Sequence, residues 1–294
     1  MNTIALEFVP PNTDHDPEGA VEDAHKILEH SKACGIEGRI QHLMIPGMIE
    51  EDHDRPVPMR PKMDTLDTWN AVRGELPGMK SLCTQVTAFS QQEELEQRLS
   101  GMRKVGMDGV IFVGVPRTMA DGEGGGVAPT DALHLFRDTM PNRGVILIPT
   151  RDAEVGRFNF KCEQGATFAL TQLLYSDAIV DFLRAFSKQH SHRPELLLSF
   201  GFIPKAEQRV NLIKWLIQDR GNPMVEKEQA FVTELSEMKA KAKRSKLLEL
   251  YKSVIDGVGE LGFPMSLHLE APYGFTKPAF ETFAEMLDYW APDR

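Results

Sequence analysis

Apolar residues fall along the chain in short unbroken runs separated by polar, helix-periodic stretches. The runs are TIALEFV (3–9), RIQHLMI (39–45), SLCTQVT (81–87), GVIFVGV (109–115), GVILIPT (144–150), FALTQLLY (168–175), LLLSFGF (196–202) and PMSLHLE (264–270). They are continuous rather than alternating, the pattern of parallel strands covered on both faces. Between them, 17–35, 90–106, 176–189 and 205–219 carry a helical period. Ser90 followed by Glu93 reads as a capping box, and Gly35 as a stop. Strands and helices alternating this way over 294 residues predict a single-domain α/β chain, a (β/α)8 TIM barrel spanning 1–294. A doubly wound sheet is the second architecture that fits. A longer helical segment is expected at about 225–258, and its basic span EMKAKAKRSK (237–246) reads as a solvated helix face.

Composition narrows the function classes. The formal net charge is −10, which disfavours a nucleic-acid binder or a protein of anionic membrane surfaces. Cys34, Cys83 and Cys162 are odd in number and widely spaced, so free, mostly buried thiols in a reduced compartment are expected. With no signal peptide or long apolar span in view, a cytoplasmic protein is the expectation. No HExxH pattern, P-loop or GxSxG elbow occurs, and the HxH spacing of His190 and His192 follows a helix in a polar loop and reads as solvated surface, so no metal site is expected.

In such a barrel the functional residues stand at the C-terminal strand ends. Polar groups interrupt the apolar runs there: Glu7; Thr84 and Gln85; Arg117; Thr150, Arg151 and Asp152; Thr171, Gln172 and Tyr175; His268, Glu270 and Tyr273. A buried carboxyl or amide without partners costs a few kcal/mol, so each needs a local reason. For any one residue an internal hydrogen bond serves as well as a binding role; the set points to a polar pocket. The glycine-rich loop ADGEGGGVAP (120–129) reads as a cover over the site or a phosphate wrap. The acidic loop 48–61 carries Glu51, a candidate second acid, although a solvated acidic loop fits as well.

LEFVPP (6–11), KCEQGATFALTQLLYS (161–176) and FGFIPKAEQ (200–208) resemble, in order, segments of the methylenetetrahydrofolate reductases. The flavin enzymes of that family carry an Arg-Gly-Asp-type stretch after strand 4; here VGVPRTMADGEGGG (113–126) has none. The chain is more similar to the actinobacterial, FAD-independent reductases, through MIPGMI, LCTQVTAF, GVILIPTRD, GATFALTQLLYSDAIV and AFETFAEML.

That resemblance implies a barrel in which NADH reduces methylenetetrahydrofolate directly, with no bound FAD and no metal. It implies Glu7 as the group that promotes ring opening and stabilises the resulting cation, although a buried ion pair with Arg151 would also explain a carboxylate there. It implies Gln172 on the pterin; Thr171, Tyr175, Gln85, His268, Glu270 and Tyr273, read from their places at the strand ends, are the further candidate substrate contacts, with internal hydrogen bonds or core packing as the other reading. Arg117, Thr150, Arg151, Lys161 and Phe200 are the expected NADH contacts, and Arg117, Arg151 and Arg157 are candidates for either the pyrophosphate or the folate glutamate tail. A homodimer is a possible assembly. A flavin-dependent reductase and a pterin-binding barrel that is not a reductase remain the alternatives.

Overall fold

The computed structural model describes residues 3–13, 17–48, 55–58, 60–114, 125–217, 221–271 and 274–290. Eight parallel strands close into a barrel in sequence order. They are β1 (Ile4–Glu7), β2 (His42–Ile45), β3 (Lys80–Val86), β4 (Met107–Val113), β5 (Arg143–Leu147), β6 (Phe168–Thr171), β7 (Glu195–Gly201) and β8 (Met265–Glu270). Every expected run holds one of these strands, and the TIM-barrel reading stands over the doubly wound sheet.

The helices among the described residues are α1 (Pro17–Ala33), α2 (Thr65–Val72), α3 (Gln92–Lys104), α4 (Pro129–Leu135), α5 (Glu154–Glu163), α6 (Ala178–Gln189), α7 (Glu207–Leu216), α8 (Pro223–Glu237), α9 (Ala240–Glu260) and α10 (Lys277–Tyr289). Side chains alternate across each strand. One set fills the barrel interior, where Ala5, Met44, Leu82, Ile111, Phe168, Leu170 and Leu197 pack as a separate cluster. The other set, including Leu6, Leu43, Cys83, Val110 and Leu198, packs outward against the helices.

Three local expectations need correction. The cap of α3 lies one residue later than predicted. Gln91 is the N-cap and its N–H donates to Glu94 Oε2 at 3.1 Å, because the Ser90 carbonyl is already taken by Val127 N at 3.2 Å. Strand β6 stops at Thr171 rather than continuing to 175, since the Thr171 hydroxyl itself accepts from Ser199 N at 2.9 Å. Leu173 and Tyr175 then turn into an apolar cluster beneath α7 and α8, while Leu174 joins the main core.

The segment 225–258 is two helices, broken at Met238 and Lys239 in extended backbone. Asn222 caps the first, accepting from Met224 N at 3.0 Å, and Pro223 follows at its first position. Its basic span is not simply solvated. Lys243 is buried, Arg244 pairs with Glu281 and Glu285, and Lys246 pairs with Glu234.

Candidate active site

Strand parity decides which sequence candidates face the barrel mouth. Ala5 is interior, so Glu7, two residues on, shares that face. By the same rule β6 sends Gln172 inward, β7 sends Ser199 and Gly201, and β8 sends His268 and Glu270. Strands β1 and β8 pair with Leu6 opposite Leu269, which brings Glu7 and Glu270 side by side on neighbouring strands.

Glu7 is partly exposed as a residue, yet its Oε2 is shut away from solvent and has no hydrogen-bond partner. Burial, and then the adjacent Glu270 carboxylate, push its pKa well above the ordinary value. Both effects favour a neutral, proton-bearing acid. The ion pair with Arg151 is not present. That guanidinium lies 3.8 Å from Glu154 instead.

Beside Glu7 runs a buried polar chain. Ser199 Oγ donates to the Thr171 carbonyl at 2.8 Å and lies 2.9 Å from His268 Nδ1. A hydroxyl has one proton, and this one goes to Thr171, so Nδ1 must carry the hydrogen that meets Ser199. Glu270 Oε1 stands 3.2 Å from the same nitrogen. In the neutral ring Nε2 is then left as a bare acceptor, and it is buried without a partner. Gly201 sits in register with Glu270. A Cβ there would meet Leu173 at 2.7 Å and the Tyr175 hydroxyl at 3.1 Å, so glycine lets these two side chains pack against the end of β7.

Gln172 donates from Nε2 to the Leu216 carbonyl at 2.9 Å, a bond at the exposed rim of the mouth. The loop after β2 reaches the same region, with the Arg55 guanidinium 5.0 Å from the Trp215 ring. Beside the mouth, a cleft of about 670 Å³ opens between the β1 exit, the start of α1 and the β8 exit. Its lining carries charges of both signs, Glu18, Glu22 and Asp23 with Lys26 and Lys62.

Other candidates are held elsewhere. Gln85 points outward, accepting from Arg98 Nε at 2.5 Å and donating to the Val86 carbonyl at 2.7 Å. Thr171 is locked between β6 and β7. Tyr175 is buried in the cluster under α7 and α8. Phe200 faces outward and packs edge-on against Tyr251, with ring centroids 4.8 Å apart. Lys161 is engaged by buried Glu154 at 2.9 Å and the Ile146 carbonyl at 2.8 Å. Thr150 gives its carbonyl to Asn222, while Arg151 and Arg157 lie exposed. Glu51, Arg117 and Tyr273 lie outside the described residues, as does the first half of the glycine-rich loop, 120–124. Ser199 and Gly201 were not anticipated, although parity counted from Leu197 selects them over Phe200.

A closed (β/α)8 barrel with a buried carboxyl, an oriented histidine and a bifunctional amide at its C-terminal mouth has the anatomy of a barrel enzyme. A family model described as "Mycobacterial methylenetetrahydrofolate reductase" matches residues 1–294, and the chain belongs to that family. It is accordingly an NADH-dependent, flavin-independent oxidoreductase that reduces 5,10-methylenetetrahydrofolate to 5-methyltetrahydrofolate. No curated protein matches the chain. Similar solved structures include "QR15, an Aldolase", with 12% identity, TM-score 0.44, and coverage of 72% of this chain and 86% of that one. Another is described as "Structural study of Project ID from Aquifex aeolicus VF5", with 14% identity, TM-score 0.43, and coverage of 87% and 92%. Among the described residues no cluster of metal-ligating side chains occurs, and no helix is long and apolar enough to cross a membrane.

Proposed function

We propose that Glu7 is the acid of this reduction and that the hydride passes directly from NADH to the folate carbon, with no FAD or metal resident in the barrel. The observation that carries the reading is the Glu7 carboxyl, whose Oε2 is shut away without a partner and whose pKa is raised by burial and then by Glu270. Glu7 gives its proton to N10 of methylenetetrahydrofolate as the bond from N10 to the methylene carbon breaks. The electron pair of N5 forms the iminium cation. The new carboxylate stabilises that cation across a short, poorly solvated gap. Hydride from the nicotinamide then closes the step, giving the N5-methyl group and NAD+, and Glu7 is reprotonated from solvent. Gln172 offers an amide donor and acceptor to the pterin edge on exchanging its bond to the Leu216 carbonyl.

The three free cysteines suit a cytosolic enzyme, and a homodimer is one assembly open to it. The test is anaerobic mixing of purified protein, NADH and methylenetetrahydrofolate with no flavin added. Nicotinamide absorbance should fall to the stoichiometry of the limiting substrate. Initial rates with both substrates varied should give intersecting lines, since both are bound together. Parallel lines, or activity only after FAD is supplied, would overturn the reading.

A further inference from the structure

A second cavity, of about 260 Å³, lies between the loop after β7, the start of α9 and the β8 exit. Its walls are apolar, formed by Phe202, Ile203 and Pro204, and three cations stand around them: Lys205, Arg209 and Lys243. Lys243 is the unusual one. It is 2% exposed, and its Nζ donates to the Ile203 carbonyl at 2.9 Å. Among the described residues no carboxylate forms an ion pair with it, whereas Arg244 and Lys246 on the same helix are paired with glutamates. Burial and then the like charge of Lys205 both lower its pKa. An ammonium has three protons to donate, and a buried cation without a counter-ion is costly. The helix brings it there because Lys243, Leu247, Tyr251, Val254 and Val258 share the buried stripe of α9.

We propose that this pocket binds the p-aminobenzoyl-glutamate tail of the folate substrate, the aromatic ring against the apolar wall and a glutamate carboxylate on Lys243, with Lys205 and Arg209 meeting further carboxylates of a polyglutamate chain. Ala271 and Gly274 line both this pocket and the cleft beside β1, and Ala271 directly follows Glu270. A folate whose pterin sits at Glu7 therefore has its tail directed into a neighbouring compartment. Apolar walls suit an arene with a terminal carboxylate better than a strongly hydrated pyrophosphate, the other anion in this reaction. The inference rests on the proposed placement of folate at the mouth and deepens it.

The test is direct binding of p-aminobenzoyl-L-glutamate by calorimetry, together with KM values for NADH and for methylenetetrahydrofolate carrying one or several glutamates. Lys243→Met should weaken fragment binding and raise the folate KM by at least about tenfold, the scale of one hydrogen bond to a charged group. It should leave the NADH KM within about twofold and raise the melting temperature, because an unpaired buried charge is gone. Lys205→Glu and Arg209→Gln, at exposed positions, should reduce the advantage of the polyglutamate over the monoglutamate. Unchanged fragment binding in Lys243→Met, or a rise in the NADH KM alone, would overturn the assignment. If Lys243→Met fails to fold, the exposed pair decides: an unaltered polyglutamate preference in both overturns it. Fragment binding needs no turnover, so a failed flavin-free assay and a failed tail site give different results.

Discussion

As the proposed acid, Glu7 would carry opposite consequences for rate and for stability. At pH values below its ordinary pKa of 4.5, the folded and unfolded chains both hold the proton and the residue is neutral in the balance. Above that value the unfolded chain releases the proton while the folded chain, whose pKa is raised, keeps it. Stability therefore declines as pH rises, until the folded pKa is passed. Glu7→Gln removes this dependence. The variant should melt at or above the wild-type temperature near pH 8, with a flatter profile of melting temperature against pH. Single-turnover hydride transfer should slow by at least about a hundredfold, the lower end of general acid catalysis. A destabilised variant of near-normal rate would contradict both assignments. Gln172→Ala tests the other side of the mouth. It should raise the folate KM by an amount equivalent to ~1–3 kcal/mol and leave the NADH KM unchanged, as steady-state kinetics would show.

At the scale of elements, the loops after the strands are stitched to neighbouring strands. Gly47, just past β2, donates from its N–H to Thr84 Oγ1 at 2.6 Å, and a Cβ at this glycine would lie 2.5 Å from the Thr84 carbonyl oxygen. Backbone cannot give way as a flexible side chain does. Gly47→Ala should cost ~1–3 kcal/mol in urea unfolding and displace the loop that leads to Arg55. The element plan was readable because short apolar runs set between helix-periodic stretches suit strands buried on both faces, and all of them closed into one sheet. The facing of individual residues was less legible. Gln85 and Phe200 look functional as letters at strand ends, but counting in twos from Leu82 and Leu197 turns them outward and selects Thr84, Ser199 and Gly201. Lys243 was hidden for another reason. A basic run signals solvent, and only its spacing to Leu247 and Tyr251 reveals the buried face.

For the molecule as a whole, the barrel closes where its first strand meets its last. Thr3 N–H donates to Ser266 Oγ at 2.6 Å, and Leu267 N–H to the Thr3 carbonyl at 2.8 Å. Glu7 and Glu270 stand on opposite sides of this joint, so the acid acquires its neighbour only when the two ends of the chain have come together. Contacts so distant in sequence form late, since the entropy of closing the intervening chain must first be overcome. A chain whose β8 has not yet docked has Glu7 without the neighbouring carboxylate, which adds to burial in raising its pKa. Refolding from urea should accordingly show helical circular dichroism returning ahead of activity, with reductase turnover following the slowest phase. On the proposed reading, activity is thus timed by the docking of β8 against β1, the joint that sets the two carboxyls side by side.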